Sequence, residues 1–282
     1  MNEVFYIAVC SLGQNPNLPK CIAKLLEIKS SAVPDVKILL VINSHHVDYT
    51  FDDAVLIAFE PERGYSNVRN KAISLVPDYA NVVFVDDDEI PTLMWFQALV
   101  EASQNHPHDV IFGPVYSFDS RETLSYRNQA SKRYKKLSDG DLVRQAPTAN
   151  MLIPSILLQK KVVWFDPVFN YSGSEDTDLC FRLRKLGVKI RYSERAIIYE
   201  REKAQRFDAE YIQARQKKDI TNYSVVIRRN SSAGEILWRF STLAIRITVY
   251  AILSLFNSSY ISKRNIFCAS AMALITGKSK EV

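Results

Sequence analysis

Over the first two hundred residues, short runs rich in β-branched and aromatic residues alternate with stretches whose apolar residues recur at helical spacing. That alternation restricts the chain to β-α-β units, hence to a mostly parallel sheet with helices on its faces. Val4–Cys10, Val36–Ile42, Val55–Phe59, Asn81–Val85, Val110–Tyr116, Asn150–Ile153, Lys189–Tyr192 and Ala196–Tyr199 read as strands. Leu18, Ile22, Leu25, Leu26 and Ile28 mark a helix after the first strand. Arg69–Leu75, Met94–Ser103 and Glu175–Leu186 read as further helices, the last with Ser174 as its cap and Gly187 just beyond its end. In open α/β sheets, ligands sit beyond the carboxyl ends of the strands. One strand, NVVFV, ends there in four carboxylates, Asp86-Asp87-Asp88-Glu89.

Carboxylates this close repel and raise one another's pKa unless something neutralises them. A hard cation suits the task, because Mg²⁺ and Mn²⁺ prefer oxygen ligands and Mg²⁺ is often completed by substrate phosphates. The run is therefore read as a metal–diphosphate site, against the alternative of a solvated acidic turn. A second acidic motif, Gly173-Ser174-Glu175-Asp176-Thr177-Asp178, opens the helix that follows it. Carboxylates in a first helical turn complement the helix dipole. Three in four residues exceed that need, and one can serve as general base towards a hydroxyl.

Composition narrows the remainder. With 282 residues, 47% hydrophobic and 24% charged, the chain buries a substantial core and is not disordered. Cys10, Cys21, Cys180 and Cys268 have no metal-site spacing and read as reduced thiols of a cytoplasmic protein. The opening MNEVFYIAVC lacks a basic n-region, so export is not expected. Residues 119–147 form a polar excursion with a basic cluster at Arg127, Lys132, Arg133, Lys135 and Lys136. His45 and His46 read as surface loop. Trp164 reads either as core or as a platform for a sugar ring, and Arg206 and Arg215 as a solvated face or as contacts to a departing diphosphate.

The C-terminal part differs from the rest. Residues 201–282 carry 14 Lys and Arg against 6 Asp and Glu, net +8, whereas residues 1–200 carry 22 against 25. The longest uncharged run there, Ile247–Ser262, falls short of the ~20 apolar residues of a spanning helix. Trp238, Phe240, Tyr250, Phe256, Tyr260 and Phe267 are interleaved with Arg239, Arg246, Lys263 and Arg264, a pattern suited to helices in a lipid headgroup region. The competing reading is a pair of ordinary helices packed on the body.

Four segments, taken in order, resemble family 2 glycosyltransferases with the GT-A fold. VVFVDDDEIP resembles their D-x-D region and GSEDTDLCFRLRKLG their G-x-E-D-x-D-L segment. PERGYSNVRNKAI resembles the Gly…Ala-Arg-Asn-x-Ala stretch, and IAVCSLGQNPNLPKCIAKLL the opening strand, loop and helix. The resemblance covers about residues 4–220 and is nearest to bacterial surface-polysaccharide enzymes. It implies a catalytic domain over residues 1–220, with a Rossmann-like mixed sheet; the charge and aromatic pattern described above, and not the resemblance, marks 221–282 as a membrane-associating helical tail. It implies that Asp176 is the catalytic base, with Glu175 beside it for the acceptor. It places Asp88 and Asp86 on a Mn²⁺ or Mg²⁺ ion, and Asp86 and Asp87 on the donor. Val9, Cys10, Ser11 and Arg69 would line the nucleotide site.

Two departures bear on this. Where the family often carries a base-reading acid, VINSHHVD offers Asn43 and Ser44, with Asp48 further on. Where a His often follows the last strand, Glu200 follows Tyr199. The Q-x-x-R-W motif of processive synthases is absent, which favours one sugar per encounter. The implied activity is inverting, metal-dependent transfer from a nucleotide-diphosphate sugar, taken as a UDP-sugar, to a saccharide acceptor, taken as lipid-linked, at the inner face of the cell membrane. A nucleotidyltransferase is disfavoured because SLGQNPN has one Gly and no Lys or Arg. A non-catalytic sugar-nucleotide or membrane scaffold is disfavoured by the intact acidic motifs. No compact basic–aromatic reader of nucleic acid is present.

Overall fold

The computed structural model describes residues 3–32, 34–118, 136–201 and 208–277. Arg127, Lys132, Arg133, Lys135 and Arg206 lie outside them. Ten strands are described: β1 Val4–Ser11, β2 Asp35–Ile42, β3 Val55–Phe59, β4 Asn81–Asp86, β5 Glu89–Pro91, β6 Val110–Phe112, β7 Val115–Phe118, β8 Asn150–Ile153, β9 Ile190–Tyr192 and β10 Ile198–Arg201. The described helices are α1 Leu18–Ser31, α2 Tyr65–Leu75, α3 Trp95–Asn105, α4 Ser155–Gln159, α5 Glu175–Lys185, α6 Ala209–Asn230, α7 Ala233–Phe256 and α8 Ser259–Thr276.

The main sheet has seven strands in the order β3-β2-β1-β4-β8-β6-β9, and β8 alone runs antiparallel to its neighbours. The mixed, mostly parallel α/β sheet expected from the alternation is therefore present. Its central strands are apolar on both sides because helices cover both faces. Phe5, Ile7 and Val9 of β1 join α1 and α3 in one core cluster. Ala8, Phe84 and Met151 join α2, α4 and α5 in the other. Cys10 of β1 stands in register with Asp86 of β4, so the first loop and the acidic run leave the sheet side by side.

A second sheet has three strands in the order β5-β10-β7. The sequence reads Val110–Tyr116 as one strand, but it is two strands in different sheets. The break falls at Gly113-Pro114. Proline has no amide to donate to a ladder. A Cβ on Gly113 would lie 2.0 Å from the Ala196 carbonyl oxygen, so the crossing of the two sheets requires glycine. Asn150 holds this junction, accepting from Trp95 Nε1 at 2.8 Å and donating to the Ala196 carbonyl at 2.7 Å.

The C-terminal helices are joined to the body through α6, one continuous helix across residue 220. Its second half is buried against α8, with Val225, Val226 and Ala273 in one cluster. The Ser224 and Ser270 hydroxyls meet at 2.6 Å. Inside the uncharged run Ile247–Ser262, Asn257 and Ser258 separate α7 from α8, so that run is not one helix. Counting helices instead of uncharged runs changes the picture. α7, with Arg239 and Arg246 inside it, is long and apolar enough to cross a membrane by length and composition.

Candidate active site

The site is built from three chain segments at the carboxyl ends of β1 and β4. The first is the acidic turn after β4. Its four carboxylates fan in different directions. Asp87 turns inward, accepting from the Ser11 hydroxyl and, at 2.7 Å, from Asn15 Nδ2. Burial pushes its pKa up, and these two bonds oppose the shift. Glu89 folds back beneath the turn and accepts the Asp86 amide at 2.9 Å. It is buried and stands opposite Glu200 across the β5–β10 pair. Desolvation first, then the Asp86 charge, drives its pKa well above the carboxylate range. Glu200 is buried as well and accepts from the Ser117 hydroxyl at 3.1 Å. Asp86 keeps 43% of its side chain exposed, and Asp88 is half-buried.

The second segment is α2, which carries Arg69. Its guanidinium joins the two acidic motifs. Nη1 pairs with Glu175, and Nη2 lies 3.5 Å from Asp86 Oδ1. The helix start that places Arg69 is capped from far along the chain: Asn170 Oδ1 accepts the amides of Ser66 at 3.0 Å and Asn67 at 3.1 Å. Gly64 precedes the helix at φ +151°, and a Cβ there would meet Asn170 Cγ at 2.2 Å.

The third segment is the start of α5. Gly173 and Ser174 both have φ of +78°. Such a pair re-aims the chain sharply, and left-handed backbone in a non-glycine residue is a cost concentrated at functional sites. Ser174 therefore does not cap through its side chain, contrary to the expectation, and its hydroxyl makes no cap bond. Glu175 is driven inward to Arg69, and its Oε2 is buried without a hydrogen-bond partner among the described residues. Asp176 is half-buried, its Oδ1 held by the Thr177 amide at 2.6 Å. Burial raises its pKa, while Arg69, the Thr177 bonds and Arg215 of α6 pull it back. Asp178 is committed elsewhere: it receives Arg182 Nε at 2.8 Å and Asn230 Nδ2 at 2.7 Å, tying α5 to the end of α6.

The structure thus brings Cys10, Ser11, Arg69, Asp86, Asp87, Glu175 and Asp176 into one polar cluster. Some expected residues play other parts. Val9 is fully buried in the sheet and belongs to the core. Cys10 keeps its proton, because burial pushes its thiol up to about 12. Asn43 does not offer its amide to a base. Nδ2 donates to the carbonyls of Glu60 at 2.9 Å and Glu62 at 2.8 Å, and Oδ1 accepts the Gly64 amide at 2.8 Å. Trp164 is not core: it is 48% exposed, beside the Arg182 guanidinium. His46 is exposed and pairs with Asp48 at 3.4 Å. Asn15 and Asn170, which position Asp87 and α2, were missed. Neither carries a local signal, since Asn170 caps a helix that begins 105 residues earlier in the chain.

As a cation site, the turn offers a limited donor set. Among the described residues no group of three or more His, Cys, Asp or Glu side chains is gathered to hold a metal ion. Asp87 and Glu89 turn into the protein, whereas Asp86, which also faces Arg69, and Asp88 stay partly exposed at the turn and are the candidate ligands. Mg²⁺ is commonly bound through one or two carboxylates with substrate phosphates completing its shell. The residues present fit a cation of that kind and do not fit an all-protein cage.

The mixed, mostly parallel α/β sheet with helices on both faces matches the GT-A fold. The chain belongs to glycosyl transferase family group 2, whose family model matches residues 81–277. That match begins at β4 and runs to the end of α8, so it includes the C-terminal helices and omits the first loop. Among solved structures, the fold is similar to that of GalNAc-T7 with UDP, GalNAc and Mn²⁺. The TM-score is 0.54 at 9% identity, covering 81% of this chain and 51% of that chain. This chain therefore spans about half the length of that relative. No curated protein sequence matches this chain.

Proposed function

We propose that this glycosyltransferase moves one sugar, with inversion, from a nucleotide-diphosphate sugar to a hydroxyl of a saccharide acceptor. The donor is read as a UDP-sugar and the acceptor as lipid-linked. The setting is surface-polysaccharide synthesis at the inner face of the cell membrane, with residues 1–220 as catalytic domain and 221–282 as membrane tail. One observation carries the reading: Arg69 ties the acidic turn to the α5 motif through Asp86 and Glu175, so the donor-side carboxylates and the candidate base belong to one cluster. The similar structure, that of GalNAc-T7 with UDP, GalNAc and Mn²⁺, supports the donor and cofactor class.

In this reading Asp176 accepts the proton of the acceptor hydroxyl as that oxygen attacks the anomeric carbon. Glu175, with its unpartnered Oε2, receives a second acceptor hydroxyl, and Trp164 lines the acceptor side. Asp87, locked by Ser11 and Asn15, faces the nucleoside. A Mn²⁺ or Mg²⁺ ion held by Asp88 and Asp86 would neutralise charge on the departing diphosphate.

The test is calorimetric titration with a panel of nucleoside diphosphates, in Mn²⁺ and in EDTA. Metal-dependent binding of one diphosphate, weakened tenfold or more by Asp88→Ala, is expected. That is about 1.4 kcal/mol of binding free energy. Equal binding by Asp88→Ala and the unaltered chain, with metal present, would remove the metal assignment.

A further inference from the structure

α7 presents an unusual surface. Its body-facing side buries Leu243 and packs Ile236 and Ile247 against Ile227, Ala271 and Leu274. The opposite side is also apolar. Trp238, Ile245, Val249, Ile252, Leu255 and Phe256 all project outward, and Leu255 and Phe256 are 82% and 84% exposed. They recur three, four and seven residues apart, so they form one stripe down the helix. Ser241 and Thr248 lie within it, and no charged residue does. Leu243 is the one residue of α7 that is buried. Contiguous exposed apolar surface on this scale marks an interaction site.

The charges beside the stripe indicate what it meets. Exposed Arg246 sits over the Phe267 ring at 5.5 Å, and exposed Lys263 over Tyr250 at 5.9 Å. Arg239 is turned to the body, over Tyr223 at 4.7 Å. The surrounding segment, residues 201–282, has 14 Lys and Arg against 6 Asp and Glu. A second copy docked stripe to stripe would bring two such basic segments together. An anionic bilayer neutralises them and accepts the apolar side chains. The attachments of α7 also constrain its pose. Its inner face is fixed to α8 and to the end of α6, and α6 carries exposed Arg215, Lys217 and Asp219. Crossing the bilayer would drag these with it or break the packing.

We propose that the outward stripe of α7 seats in the headgroup–acyl boundary of an anionic bilayer, with the helix lying in the membrane plane and not crossing it. This rests on the membrane placement proposed above and names its surface and pose. It is tested apart from the sugar-transfer chemistry.

The full chain is floated with vesicles of phosphatidylcholine, alone or mixed with phosphatidylglycerol. Recovery about tenfold or more higher with the anionic vesicles is expected from two exposed cations. The double substitution Ile245→Glu, Ile252→Glu should abolish flotation while nucleoside-diphosphate binding and the unfolding midpoint stay unchanged. Pose is read by Trp fluorescence quenching with acyl-brominated lipids, the Trp238→Phe chain serving as background. Trp238 itself, Val249→Trp and Phe256→Trp should be quenched to the same shallow depth. A maximum depth at position 249 would mean a crossing helix and overturn the in-plane pose. Equal recovery on neutral and anionic vesicles would overturn the role of charge. Absence of flotation, with a dimer in light scattering that the double substitution dissolves, would make the stripe an interface between copies. Loss of nucleotide binding in the unaltered chain with flotation intact would strike the transfer reading and leave this one standing.

Discussion

Asp176 faces two opposed influences, and their balance sets how the reaction responds to pH. Burial raises its pKa above the ordinary 3.8, and Arg69, Thr177 and Arg215 counteract the shift. A base works ionised, so acidification disables it at a higher pH than an unperturbed aspartate. The acid limb of kcat/KM against pH should therefore lie above that ordinary value. Asp176→Asn should lose about 10²–10⁴ in kcat, keep nucleotide binding, and show a flat residual rate where the limb had been. Arg69 is the charge that opposes the burial-raised pKa of Glu175, with only 10% and 8% of their side chains exposed. Arg69→Met strands that carboxylate, a change that costs about 3–5 kcal/mol when a buried pair is broken. The sign with pH follows from Glu175, whose folded-state pKa is already raised above 4.5 by burial and loses its main opposing charge. The variant is then most stable below that value, where Glu175 is protonated in both states, and loses stability as pH rises. Urea unfolding at about pH 5 and about pH 8 reads this, with the larger deficit at the higher pH.

At the scale of elements, the sheet junction is the least tolerant place. Gly113→Ala puts a methyl group 2.0 Å from the main-chain oxygen of Ala196, which no side-chain rotation relieves. A loss of about 3 kcal/mol or more is expected, seen as a lowered urea midpoint with the slope retained. The same junction shows where reading the sequence stops. Strands such as Asn81–Asp86 were legible because burial on both faces demands an unbroken apolar run. The two acidic motifs were legible because their residue types and order are local. What was not legible depends on partners remote in sequence. Gly113-Pro114 reads as one strand until β10 is placed beside it. Asn43 looks like a nucleotide contact until Glu60, Glu62 and Gly64 occupy its amide. Ser174 looks like a cap until its backbone is seen to be left-handed. The uncharged run Ile247–Ser262 reads as too short to span, because it stops at Arg246, whereas α7 starts at Ala233 and ends before Asn257, whose Oδ1 accepts the Ser259 amide at 2.9 Å as α8 begins.

For the whole molecule, the question is whether the C-terminal helices are an appendage or part of the fold. Asn230 bonds Asp178 at 2.7 Å, so the end of α6 is fastened to the helix that begins with the candidate base. Arg215, earlier on α6, acts electrostatically on Asp176. The buried side of α6, with Val225, Val226 and Ile227, packs on Leu243 of α7 and Ala271, Ala273 and Leu274 of α8 as well as on Phe169 and Phe181 of the body. Ending the chain after Asn230 therefore exposes apolar surface on α6 as well as removing the outward stripe of α7. Re-exposing three such side chains costs about 5 kcal/mol at ~1.5–3 kcal/mol for each. For a chain of this size that lowers the unfolding midpoint by roughly 10–20 °C. The truncated chain should lose vesicle binding and, by loosening α6 and with it the setting of Asp176, part of its turnover. The Ile245→Glu, Ile252→Glu chain should lose vesicle binding alone. Calorimetric melting of the two, side by side, separates a removable anchor from a shared core. An unchanged midpoint after truncation would mean that α6 holds its place without its neighbours and that the tail is an independent unit.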